Sequence, residues 1–123
     1  MSNNGSKLKI LFGENDAEAL ASQVEALRKA GHQVEQALGR KGIEQALRGN
    51  SFDLVILGHT LSKDDRHHLP YMAKKANPEG RVVVMHSAGR HHEVDATVDP
   101  GQGTEKLVKT IASLDIPVTA SSR

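Results

Sequence analysis

The sequence predicts a doubly wound α/β sandwich around a five-stranded parallel sheet. Two near-continuous aliphatic runs predict it first, "LVIL" at residues 54–57 and "RVVVM" at residues 81–85. Strands that read this way are covered on both faces, as in parallel sheets. The second observation is helical spacing between and after such runs. Leu20, Val24 and Leu27, and again Leu107, Ile111 and Leu114, fall at i, i+4 and i+7. Strands that alternate with helices imply right-handed crossovers between parallel neighbours.

Residues 8–12 read as a short buried strand, followed by Gly13-Glu14-Asn15-Asp16. The first helix follows, with Ala17 and Ala21 beside its apolar stripe. Asn15 or Asp16 is placed to cap it and Gly31 to stop it. Residues 32–38 form a weaker strand. Ile43, Ala46 and Leu47 mark a short second helix that ends near Gly49-Asn50. Residues 53–57 are the strongest strand. Residues 62–75 read as mostly helical, yet contain Pro70. Proline removes an intrahelical hydrogen bond and clashes with the preceding turn. A start near Leu69-Pro70, with proline in the first turn, is therefore favoured over a helix kinked at Pro70. Residues 81–85 are the fourth strand and residues 94–98 a short fifth. Gly103 or Thr104 stands near the cap of the last helix. The expected organisation is a disordered N-terminus at 1–7, a domain at 8–114 and a tail at 115–123. Strand order 2-1-3-4-5, the flavodoxin-like arrangement, is the one expected for the sheet.

Composition narrows the function. The chain has 123 residues, enough for one core. Phe12, Phe52 and Tyr71 are its only aromatic residues, so that core must be aliphatic. Sixteen Lys and Arg against 15 Asp and Glu leave a net charge of +1. Such a balance lacks the concentrated basic face that nucleic-acid binding needs. The absence of cysteine excludes disulfides, thiolate metal sites and cysteine nucleophiles. No apolar run reaches membrane-helix length, and residues 1–7 lack a secretory signal's apolar stretch. A cytoplasmic protein that binds neither nucleic acid nor membrane is expected.

In a doubly wound sheet the functional edge lies beyond the carboxyl ends of the strands. That edge should collect Gly13 to Asn15, Gly58 to Thr60, His86 to Gly89 and Asp99 to Gly101. With these segments in place, residues 7–114 resemble the receiver domain of bacterial response regulators. "KILFGENDAEAL" (9–20) is similar to that family's first strand, acidic pair and first helix. "LRKAGHQVEQALGRKGIEQAL" (27–47) resembles the helix end, second strand and second helix. "FDLVILGHTLS" (52–62) resembles the third strand, which in the family ends at the phosphorylated aspartate. "RVVVMHSA" (81–88) resembles the fourth strand with its terminal hydroxyl, and "VDATVDP" (94–100) the fifth.

The resemblance implies a set of chemical groups: an acidic pair for Mg²⁺, an aspartate that accepts the phosphoryl group, a lysine and a hydroxyl. Carried over by position, the acidic pair becomes Glu14 and Asn15, the acceptor Gly58, the lysine Asp99 and the hydroxyl Ser87. Only Ser87 keeps its group, and one carboxylate of the pair remains. Asp53 stands five residues before Gly58 on one strand. That separation is roughly 16 Å, which puts Asp53 at the opposite end of the sheet. Asp64 and Asp65, expected in the following loop, would with Asp99 repel an incoming phosphate.

Only residues 88–98 separate Ser87 from Asp99. A parallel crossover usually needs a dozen or more residues. The fourth helix should therefore be shortened or missing. Its loss leaves sheet surface open to a partner or a second copy, unless nearby helices or the tail close over it. Six of the seven histidines fall between His59 and His92. His59, Thr60 and His86 mark a candidate ligand edge, and His59, His86, His91 and His92 are the metal candidates. Their spacing matches no metal motif. Solvated loop imidazoles that gain charge between about pH 5 and 7 are a further reading.

The sequence thus points to a stand-alone, receiver-like module of the two-component (phosphorelay) type that lacks the acceptor aspartate. It would act through protein partners, a kinase or other signalling protein, or a second copy, and not as an enzyme or with a cofactor. The alternatives are a small-molecule or metal-binding protein using the histidine-rich edge, and a receiver phosphorylated at an unusual residue.

Overall fold

The computed structural model describes residues 8–85, 94–99 and 103–114. The elements run β1 (Lys9–Glu14), α1 (Ala17–Lys29), β2 (Gln33–Leu38), α2 (Gly39–Gly49), β3 (Leu54–Leu57), α3 (Lys63–Ala76), β4 (Arg81–Val84), β5 (Ala96–Thr97) and α4 (Gly103–Ser113). All five strands are parallel, in the order β2-β1-β3-β4-β5. The expected flavodoxin-like topology is the one observed.

Period-two alternation divides the core between the two faces of the sheet. Ile10, Phe12, Leu54, Ile56 and Val83 meet Leu20, Val24 and Leu27 of α1 and Leu107 and Ile111 of α4. Leu11, Val55, Leu57, Val82 and Val84 meet Ile43 and Leu47 of α2 and Leu69 and Ala73 of α3. β3 is buried throughout, which explains its unbroken aliphatic reading. β2 lies at the sheet edge and buries only Val34 and Ala37 among its six residues. Its weak sequence signal has that cause. Gly31 adopts φ +103° just past α1, a conformation that favours glycine.

One expectation needs correction, and one open alternative is decided. α3 does not start at Leu69-Pro70; it starts at Lys63 and runs through Pro70, which is buried. Ser62 Oγ accepts a hydrogen bond from the Asp65 N–H at 3.1 Å. Asp64 and Asp65 occupy the first turn and Lys74 and Lys75 the last, both suited to the helix dipole. These terminal interactions, with burial of Leu69 and Ala73, outweigh the hydrogen bond that Pro70 removes. Asp64 and Asp65 are accordingly helical, not loop, residues. The alternative concerns the sheet face beside β4, either open to a partner or closed over. Val82, Val84 and Val94 are 1%, 6% and 5% exposed, so this side of β4 is covered. Residues 86–93, on which the fourth-helix expectation falls, lie outside the described residues, as do 1–7 and 115–123.

The amino end of the sheet is closed twice by the same device. The Lys9 N–H donates to Asp53 Oδ2 at 2.8 Å while the Asp53 N–H donates to the Lys9 carbonyl at 2.8 Å. Two crossovers further on, the Val82 N–H donates to Asp95 Oδ2 at 2.8 Å and the Asp95 N–H to the Val82 carbonyl at 2.8 Å. Each aspartate satisfies an N–H in the first two residues of a strand. Asp53 is therefore at the end of the sheet opposite Gly58, as its position along the strand requires.

Two predictions follow from this end of the molecule. Asp53→Ala should lower stability by about 1–3 kcal/mol, because it strands the partly buried Lys9 N–H; urea unfolding measures it. His32 is half-buried, and burial holds its pKa below the ordinary 6.5. Its Nδ1 also accepts the Leu8 N–H at 3.3 Å, which requires an unprotonated nitrogen. As pH falls below about 6.5 the unfolded chain takes up this proton before the folded chain does. The stability linked to His32 is thus full above that value and lost as pH falls through the lower, folded one. Unfolding from about pH 8 to about pH 5 should show a smaller acid loss in His32→Asn than in the unaltered chain.

Candidate functional site

The carboxyl ends of β1 and β3 meet at two adjacent glycines. Gly13 pairs with Leu57 at the last step of the register, and the Gly58 N–H donates to the Gly13 carbonyl at 2.8 Å. One step further, Glu14 stands opposite Gly58. Alternation puts Glu14 on the same face as Ile10 and Phe12, toward α1, and Gly58 on the same face as Leu54 and Ile56. Gly58 has no side chain, and the Glu14 side chain occupies the space one would take. A Cβ built on Gly58 would overlap the Glu14 carboxyl carbon and both its oxygens.

Glu14 is 0% exposed, so its carboxylate must find donors inside the protein. Oε1 accepts the Thr60 N–H at 2.9 Å and the Thr60 hydroxyl at 2.5 Å. Oε2 accepts Gln23 Nε2 at 2.8 Å. His59 Nδ1 lies 3.9 Å from Oε2 and is the only basic group at ion-pair distance among the described residues. The Thr60 hydroxyl also accepts the N–H groups of Asn15 at 2.8 Å and Asp16 at 3.2 Å. With both lone pairs taken, its own proton must point at Glu14. The Thr60 carbonyl accepts Asn15 Nδ2 at 3.0 Å. One threonine thereby joins the β1–α1 loop to the β3–α3 loop through its N–H, hydroxyl and carbonyl. Asp16 occupies the cap position of α1 without a side-chain cap bond.

The rest of the β3–α3 loop is tied down from α3. Arg66 Nη1 donates to the His59 carbonyl at 3.1 Å and to the Leu61 carbonyl. Arg40 is drawn elsewhere: its hydrogen bond to Glu44 at 2.9 Å, then the charges of Glu44, Asp65 and Asp64, hold its pKa above the usual value. The same hydrogen bond holds Glu44 below its usual value. Arg40 is solvent-exposed and Glu44 partly so.

The structure brings Glu14, Asn15, Gly58, His59 and Thr60 together. Asp99 is exposed beyond the end of β5, at the same edge of the sheet. Ser87, His86, His91 and His92 lie outside the described residues. Among the described residues no three metal-ligating side chains cluster. Sequence reasoning missed Gln23 and Arg66. Gln23 carried a signal: it sits at i+3 from Leu20 on the apolar stripe of α1, where a polar residue needs an internal partner. Its Oε1 is buried with no hydrogen-bond partner among the described residues.

No family model matches the chain, and no curated protein matches it in sequence. Solved structures do match in fold. A CheY-like response regulator receiver domain from Methanospirillum hungatei JF-1 superposes with a TM-score of 0.72 at 19% identity, over 86% of this chain and 91% of that one. A two-component response regulator from Clostridium difficile gives 0.71 at 18%, over 85% and 93%. The response regulator TrrA from Thermotoga maritima, in complex with Mg²⁺ and beryllofluoride, gives 0.70 at 16%, over 86% and 96%. The sheet order, the two helical layers and these superpositions give the chain the CheY-like receiver fold.

Proposed function

We propose that this chain is a receiver-type module of two-component signalling that works through protein–protein contact, without aspartyl phosphate. The observation that carries the reading is the Glu14 carboxylate in the side-chain space of Gly58. Transfer to an aspartate needs an accessible carboxylate at that position. Gly58 offers none, and Glu14 is buried with both oxygens engaged. Mg²⁺ needs several oxygen ligands in near-octahedral array. The residues present do not fit it: the Glu14 oxygens face Thr60 and Gln23, the Asn15 amide donates to Thr60, and Gly58 supplies no side-chain oxygen. Asp99, in the place of the family's lysine, adds negative charge where phosphate would gather it.

The partner on this reading is another protein, a kinase, a different signalling protein or a second copy of the chain. The module is not an enzyme, needs no cofactor and works in the cytoplasm. No helix among the described residues is long and apolar enough to cross a membrane. The receiver that accepts phosphate at an unusual residue and the metal-binding protein are outcomes of the test below.

The test is addition of beryllofluoride and Mg²⁺, followed by amide NMR. TrrA is recorded with this pair of ligands. The amides of Glu14, Gly58 and Thr60 should not move. Saturable shifts at these amides would sink the proposal in favour of an acceptor site. Shifts with Mg²⁺ or Zn²⁺ alone, lost in His59→Ala, would sink it in favour of a metal site.

A further inference from the structure

We propose that Glu14 and Gly58 are an exchanged pair: β1, not β3, supplies the carboxylate at the end of β3, and that carboxylate holds the two edge loops as one fixed latch. The first support is backbone geometry. Among the described residues, only Gly31, Gly39 and Gly103 have positive φ. Gly58 therefore sits in a conformation open to other residues, so the turn does not demand glycine. The demand comes from the Glu14 carboxyl group, which any β-carbon at 58 would strike. The second support is the convergence of donors. Three hydrogen bonds reach the carboxylate from Thr60 and Gln23, and Thr60 in turn holds the N–H groups of Asn15 and Asp16.

The pair has a functional consequence. In this edge the group that fills the acceptor space is covalently part of the chain, always present and never removed by hydrolysis. The β1–α1 and β3–α3 loops are consequently held in one arrangement, and a partner that reads Asn15, Asp16 and His59 meets a constant surface. Regulation then falls on the partner or on the amount of protein, not on a change of state at this edge. The constant surface rests on the reading of this edge as closed to phosphoryl chemistry, whereas the pair itself is tested by stability alone.

The test is a double-mutant cycle on the full chain, read as the urea midpoint of unfolding. Gly58→Ala should lower the midpoint in the unaltered chain. In the Glu14→Ala background the same change should raise it, because the clash is gone and alanine restricts the unfolded chain more than glycine does. In Glu14→Gln, which keeps the side chain's volume, Gly58→Ala should still lower it; this variant covers the case in which Glu14→Ala fails to fold. Thr60→Val should speed amide hydrogen exchange at Asn15 and Asp16, which sit on the other loop. Equal loss from Gly58→Ala in the unaltered, Glu14→Ala and Glu14→Gln chains would overturn the exchange. A Thr60→Val effect confined to residues 58–62 would overturn the latch. Beryllofluoride binding together with sign reversal in the cycle would defeat the functional reading and spare the pair. Additivity without beryllofluoride binding would do the opposite.

Discussion

A buried carboxylate with three internal donors organises the carboxyl edge of this sheet. A charge taken out of water is costly unless hydrogen bonds replace its hydration. Here the replacements come from β3–α3 and α1, while the carboxylate itself belongs to β1. Three elements must therefore be in place together for Glu14 to be satisfied. Charge-assisted hydrogen bonds are about twice as strong as neutral ones. An interaction of that kind at the end of two central strands fixes where both loops leave the sheet. Thr60 passes the constraint on, because its hydroxyl and carbonyl are used by residues of the other loop.

The two glycines at this edge serve opposite faces. Gly13 points toward α2, where a Cβ would overlap the end of the Ile43 side chain. Gly58 points toward α1, where it would overlap Glu14. Neither position has positive φ. Both glycines are space requirements set by a neighbour: an apolar one that seats a helix close against β1, and a polar one that seats a charge beside β3. The sheet's alternation makes this possible. A shift of one residue in β3 would put Leu57 against the carboxylate and Gly58 against the aliphatic core.

Most of the fold was legible because its signals are local or periodic. The aliphatic runs of β3 and β4, the stripe of α1 and the glycine after it all reappear where the sequence places them. Pro70 misled because a single-residue penalty was weighed without the Ser62 cap and the first-turn aspartates that offset it. The site was legible in part. On the resemblance to receiver domains, the sequence alone places different groups at positions 15, 58 and 99, since identity is enough for that. It does not show that Glu14 turns inward, because direction depends on the space left by a residue 44 positions away. Gln23 was the available clue, a polar side chain on an apolar stripe whose partner had to be internal.

This division between fold and site has a physical basis. The residues that hold the sandwich together lie in the strand interiors and on helix stripes, where aliphatic groups of similar volume substitute for one another at small cost. The residues of the edge lie at the last register pairs or past them, where no ladder hydrogen bond depends on their side chains. A chain can thus keep the CheY-like fold at 16–19% identity while the residues of its edge are free to differ. That freedom is constrained nonetheless. An edge with glycine at 58 and no carboxylate from β1 would leave the Thr60 N–H, the Thr60 hydroxyl and the Gln23 amide without an acceptor. Glu14 supplies the kind of group these donors require, a carboxylate, and brings it from the next strand. On the exchanged-pair proposal, the bare β3 position and the inward Glu14 carboxylate form one structural feature, because a side chain at 58 and that carboxylate would occupy the same space.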